Sequence, residues 1–224
     1  MKFYLDTADA SQWQQPAGCP PVQGATTNPT LVQQAGLPVT LPTYLRLLTE
    51  ASGRGLPELM LQLPYADTAE AEKWLDELIP AAQELGVALT LKLPCHPDWE
   101  PVIRAVRARN WPFLLTGLSN PMQLLWARAQ GADFVAPYLG RLEAAGRDVG
   151  ALIRACVAVQ SDGVRLLAAS VKSADVLAQL LAEGAYAVTL RPEFAAGLAT
   201  DPVTDQAIAD FAAEVERSLA HPAV

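Results

Sequence analysis

Eight short apolar segments separated by helix-like stretches predict an α/β protein, a closed (β/α)8 TIM barrel. Three observations carry this. Strand and helix patterns alternate through the whole chain, which calls for parallel strands joined by right-handed crossovers. The strand segments number eight, which suits closure into a barrel. Asp6-Thr7-Ala8-Asp9 follows the first strand, where an open doubly wound sheet would carry a glycine-rich dinucleotide fingerprint.

The segments, in order, are these. Lys2 to Asp6 reads as a strand ending at a carboxylate, with a helix start offered by Thr7 to Ala10. A Pro- and Gly-containing loop leads to a second strand, Val22 to Ala25, and Thr26-Thr27-Asn28-Pro29 then supplies cap residues and a proline suited to a first helical turn. Leu41 to Ala51 is a helix closed by Gly53-Arg54-Gly55, and Glu58 to Leu63 is the third strand. Asp67 to Leu85 spaces Ala71, Leu75, Leu78, Ile79 and Ala82 at intervals of three and four, which predicts a long amphipathic helix. Val87 to Pro94 is the fourth strand, followed by a helix from Trp99 to Arg109. The second half repeats the rhythm, with strands at Trp111–Thr116, Phe134–Tyr138, Arg165–Ser170 and Tyr186–Leu190. Helices fall between them at Asn120–Gln130, Val149–Gln160 and Ser173–Ala182. Residues 1–224 are therefore read as one barrel domain with an extra C-terminal helix at 202–219. On that helix the stripe Ile208, Phe211, Ala212 and Val215 suits either an oligomer contact or closure against the chain's own barrel.

Composition narrows the partners. A net charge of −8 argues against nucleic acid or an anionic membrane, since phosphates need a basic patch to neutralise them. A small anionic substrate held by a few placed cations remains open. Cys19, Cys95 and Cys156 are odd in number and outside any C-x-x-C pattern, which indicates neither a disulfide framework nor a zinc site and suits a reducing cytoplasm. Asp6 interrupts any apolar core of a signal peptide, and no run of eighteen apolar residues exists to span a membrane.

Lysine is used sparingly, four times against twelve arginines. One of the four, Lys92, lies inside the fourth strand as Leu91-Lys92-Leu93. Alternation sends Leu89, Leu91 and Leu93 to one face and Ala88, Thr90 and Lys92 to the other. A buried ammonium relieves its desolvation by a lowered pKa, which leaves a nucleophilic neutral amine. The alternative is a strand-end lysine that snorkels to solvent.

Barrel chemistry sits where strands finish, so the residue closing each strand is informative. These are Asp6, Asn28, Gln62, Lys92, Thr116, Tyr138, Ser170 with Lys172, and Arg191, the last a weaker candidate not carried into the site. Loops are polar, which accounts for some of them; Lys92 and Gln62 still sit within apolar runs.

The segments Tyr4-Leu5-Asp6-Thr7, Thr26-Thr27-Asn28-Pro29, Leu91-Lys92-Leu93-Pro94, Val135-Ala136-Pro137-Tyr138 with Arg141, and Ala168-Ala169-Ser170-Val171-Lys172 carry a resemblance. The chain resembles the transaldolase family of class I aldolases, in particular its short branch of fructose-6-phosphate aldolase-like proteins. The resemblance implies a Schiff-base enzyme of carbohydrate metabolism that needs no metal or cofactor, acts on a small sugar or sugar phosphate and often forms homo-oligomers. It implies that Lys92 attacks the ketose carbonyl and Asp6 handles the C4 hydroxyl proton. Gln62, Thr116 and Tyr138 would hold the water of the proton shuttle, with Tyr138 exchanging the proton that a glutamine cannot. Asn28 and Thr26 would bind substrate hydroxyls, and Arg141, Ser170 and Lys172 a phosphate. Glutamine rather than glutamate at position 62 favours an aldolase over a transaldolase; a barrel that only binds sugar phosphates is the non-enzymatic alternative. The turns Cys95-His96-Pro97-Asp98-Trp99 and Ser119-Asn120-Pro121 depart from the family pattern, and His96 is a lone loop histidine.

Overall fold

The computed structural model describes residues 1–220. Its eight strands are β1 (Lys2–Asp6), β2 (Val22–Thr26), β3 (Glu58–Gln62), β4 (Ala88–Pro94), β5 (Phe113–Leu118), β6 (Phe134–Pro137), β7 (Arg165–Ala168) and β8 (Ala187–Leu190). All pair in parallel and in chain order, and β8 returns to β1, so the predicted barrel is closed. Around it lie α1 (Pro29–Gln34), α2 (Leu41–Gly53), α3 (Thr68–Leu85), α4 (Glu100–Ala108), α5 (Pro121–Ala129), α6 (Leu139–Ala144), α7 (Val149–Ala158), α8 (Ala174–Glu183) and α9 (Pro192–Gly197). A last helix, α10 (Pro202–Ala220), follows them.

Side-chain alternation divides the core in two. Leu5, Leu59, Leu61, Leu89, Leu91, Leu93 and Leu115 point outward into the layer between sheet and helices. Tyr4, Met60, Leu114, Phe134, Ala136, Leu167 and Ala187 fill the barrel itself. At its N-terminal end Glu58 accepts from Tyr4 Oη and from Thr90 Oγ1, each at 2.7 Å, so the carboxylate is satisfied on both oxygens. Strand β2 approaches β3 closely there: a Cβ on Gly24 would stand 2.1 Å from the Glu58 carbonyl oxygen, a position only glycine can occupy.

The caps follow the sequence. Asn28 accepts from Leu31 N at 3.0 Å, with Pro29 in the first turn of α1, and Asp67 caps α3 through Glu70 N at 2.9 Å. Gly86 ends α3 in the left-handed region at φ 65°.

Four expectations need correction. Strand β5 begins at Phe113 rather than Trp111, because Trp111 N is spent on the Val106 carbonyl and Pro112 has no N–H to give a ladder. Instead of a helix at Thr7 to Ala10, Asp9 caps a single 3-10 turn at Ala10–Gln12. Helices α6 and α9, six residues each, were not expected; neither has a side-chain cap to announce it. Finally, α10 does not close the barrel. It contains no buried residue, and Ile208, Phe211 and Val215 are exposed, which removes the intramolecular reading of its stripe.

Candidate active site

Parallel pairing sets the strand ends at one level. Asp6 is in register with Thr26, and Gln62 with Lys92. The uppermost inward positions are thus polar, where the layer beneath is mostly apolar, with Thr90 the exception. Lys92 is 2% exposed, which excludes the snorkelling arrangement. Its Nζ donates to the Thr27 carbonyl at 2.7 Å. Burial lowers its pKa from the ordinary 10.5 to about 8, while the charge of Asp6 pulls the other way. Roughly a tenth of the amine is therefore neutral at pH 7, against well under a thousandth for a free lysine.

Asp6 accepts from Thr26 Oγ1 at 2.7 Å, and Thr26 Oγ1 lies 2.7 Å from Thr189 Oγ1. A hydroxyl has one proton to give. Thr26 gives its proton to Asp6, so Thr189 donates to Thr26 and the three form a directed chain. Thr26 is fully buried in this chain and does not reach the open cavity. The expectation that it contacts a substrate hydroxyl therefore gives way to one of orienting Asp6.

The cavity above this layer has a volume of about 220 Å³ and is lined by Asp6, Asn28, Lys92, Tyr138, Arg141, Ser170 and Lys172, among others. Seven of the ten residues picked from the sequence meet there. Gln62 and Thr116 lie outside the lining, with Gln62 Oε1 and Thr116 Oγ1 buried and without a protein hydrogen-bond partner. Burial raises the Tyr138 pKa, with Thr116 and Arg141 drawing it down and Asp6 adding to the rise. Thr116 is thus a neighbour of the phenol, although the two do not complete a hydrogen bond. The Arg141 guanidinium stacks 4.9 Å from the centre of the Tyr138 ring.

Ser170 sits in the left-handed region at φ 58°, a strained setting for a residue with a side chain and one that recurs at ligand sites. Its carbonyl accepts from Gly140 N at 2.8 Å. A Cβ on Gly140 would stand 2.5 Å from that oxygen and 3.0 Å from the Lys172 side chain, so glycine lets α6 and the end of β7 meet. Thr189 and Arg191 also line the cavity. Sequence reasoning missed Thr189, which lies within an apolar strand with no neighbouring signal, and named Arg191 as the residue closing β8 without carrying it into the site.

A larger depression of about 680 Å³ lies outside the barrel against α4 and the start of β5, remote from Lys92. Among the described residues no three His, Cys, Asp or Glu side chains gather as a metal site. His96 is exposed in its loop, where its Nδ1 accepts from Asp98 N at 3.3 Å.

Fold and site together define a (β/α)8 barrel with a desolvated lysine and a carboxylate at its C-terminal mouth. No family model matches the chain. It is similar to curated proteins described as probable transaldolases from Desulfatibacillum aliphaticivorans, 27% identical over 97% of this chain and 99% of that protein, and Roseobacter denitrificans, 28% identical over 97% and 98%. A protein of Bacillus anthracis described as probable transaldolase 2 is 29% identical, over 96% of this chain and 97% of its own. Over nearly its whole length the chain is thus similar to proteins described as probable transaldolases. Among solved structures, a thiamine phosphate pyrophosphorylase from Pyrococcus furiosus is 14% identical over 87% of this chain and 92% of that one, with a TM-score of 0.46.

Proposed function

We propose that the protein is a Schiff-base aldolase of the fructose-6-phosphate aldolase-like branch, reversibly cleaving a ketose or ketose phosphate into a dihydroxyacetone-type unit and an aldehyde. The observation that carries the reading is Lys92: a buried amine, drawn down to about 8, at the bottom of a sugar-sized cavity beside a carboxylate.

In this reading the neutral Nζ adds to the C2 carbonyl and water leaves, giving an iminium. Asp6 accepts the C4 hydroxyl proton, the C3–C4 bond breaks to release the aldehyde, and the electron pair passes into the iminium as an enamine. Protonation at C3 and hydrolysis return the amine and the three-carbon ketone. Tyr138 exchanges the protons of carbinolamine formation through a water bonded to the unpartnered oxygens of Gln62 and Thr116. Asn28, whose oxygen is engaged in its cap, offers its amide N–H groups to a hydroxyl. Arg141, Ser170 and Lys172 take a phosphate.

The second reading, transfer of the three-carbon unit to an aldose phosphate, is favoured by the names of the relatives and uses the same lysine. Glutamine at position 62 speaks against it, since an amide carries no exchangeable acid proton. Product analysis separates the two. Glyceraldehyde 3-phosphate released from fructose 6-phosphate without an acceptor is expected, and strict dependence on erythrose 4-phosphate would refute the aldolase. Borohydride with dihydroxyacetone should add mass at Lys92; a barrel that only binds sugar phosphates leaves it unlabelled.

We also infer a cytoplasmic homo-oligomer built through α10. Its support is the exposed face of Ile208, Phe211, Val215 and Leu219 on a helix that has no buried residue.

A further inference from the structure

Three cations line the cavity beside Lys92. Besides Arg141 and Lys172 there is Arg191, the first residue after β8. No ion pair among the described residues involves any of the three. With Lys92 the cavity therefore holds four basic side chains against one acid, Asp6, in a chain whose net charge is −8. Such a concentration of unpaired charge, against the sign of the whole protein, attracts anions.

Arg191 is held by a neutral partner. Its Nη2 donates to Gln34 Oε1 in α1 at 2.9 Å. An amide satisfies one of the five guanidinium N–H groups and leaves the charge uncompensated, whereas a carboxylate would have cancelled it. The tether links the end of β8 to the helix after β2, on the rim beside β1. Around the barrel, Arg191 follows the Ser170–Lys172 segment on the neighbouring strand, so its fork can join that segment around one oxyanion.

We propose that Arg191 is a specificity-determining residue, a third arm that closes on the phosphate of a phosphorylated substrate and makes the enzyme prefer it over the free sugar. Gln34 parks the arm when the seat is empty. This rests on the cavity being the substrate site, as proposed above, but not on Schiff-base formation at Lys92.

The test combines three variants with two readouts. Calorimetric titration of the full chain with inorganic phosphate reads the seat without chemistry. Arg191→Gln is expected to weaken phosphate about tenfold or more, the usual loss of a charged hydrogen bond. Gln34→Glu should weaken it similarly by giving the arm an internal anion, while Gln34→Ala leaves affinity unchanged or improved. In kinetics, Arg191→Gln should raise KM for fructose 6-phosphate by a like factor with kcat within about twofold, since binding alike in ground and transition states governs KM. Labelling of Lys92 by dihydroxyacetone and borohydride should be unchanged. Equal phosphate affinity in wild type and Arg191→Gln, or loss in Gln34→Ala as great as in Gln34→Glu, overturns the proposal. If Lys92 cannot be labelled in the wild type while the phosphate pattern holds, the Schiff-base reading fails and the arm survives.

Discussion

The hydroxyl of Thr26 gives its only proton to the carboxylate of Asp6, 2.7 Å away, and so can only accept from Thr189 behind it. The side chain that would remove the C4 proton is oriented by a residue from the opposite end of the chain. Thr189→Val keeps shape and removes the donor, leaving Thr26 free to turn. We expect kcat to fall about threefold to tenfold with the fold intact, because one neutral hydrogen bond contributes about 1 kcal/mol. Steady-state kinetics beside a thermal melt checks this, and Thr189→Ser, which retains the hydroxyl, should restore the rate.

Lys92 titrates well below a free lysine, and the direction of its linkage to stability follows. The unfolded chain binds a proton at 10.5 that the folded chain releases at about 8. Between those values the unfolded state holds more protons, so stability rises with pH across that window. The penalty is fully present below pH 8 and amounts to about 3 kcal/mol at 1.36 kcal/mol per unit. Lys92→Met should therefore lose all borohydride labelling yet be more stable than wild type at pH 7, with the difference gone by pH 11. Urea melts over pH 7 to 10 read this directly.

Asp6 raises the Lys92 pKa by its charge. Asp6→Asn removes that charge, so the lysine should titrate lower still, followed by NMR of its ε-carbon. Cleavage of fructose 6-phosphate should fall at least a hundredfold, the scale of a lost general base.

Gly140 admits the Ser170 carbonyl at a distance no side chain tolerates. Gly140→Ala should displace the Ser170–Lys172 segment, cost about 1–3 kcal/mol as an overpacked contact does, and weaken phosphate binding more than it affects labelling of Lys92. Equal loss of both would mean that the whole mouth had moved.

Phe211 is 64% exposed on α10. Phe211→Asp should leave the barrel folded and reduce the mass found by light scattering to that of one chain; a wild type already at that mass ends the assembly proposal.

The barrel was legible because each strand carries its own apolar run and each helix its own period. Lys92 was legible because charge inside such a run is costly and so conspicuous, and Asp6 because it closes the first strand. The buried position of Thr26 was not, since its fate depends on Thr189, more than 160 residues away and paired only once β8 closes against β1. Nor were α6 and α9, whose six residues are held by the rim they sit on rather than by caps or periodicity.

The Thr27 carbonyl that receives the Lys92 proton is main chain. In the proposed Schiff base a single N–H would remain on Nζ, and the same oxygen is placed to accept from it. Such a bond would orient the plane of the C=N bond, and with it the face of the ketone's carbon skeleton turned toward the incoming aldehyde. On the proposed mechanism, enantiomeric outcome would be set by the backbone of the β2–α1 turn, and variants of the surrounding side chains should change rate and substrate range while delivering products of one handedness.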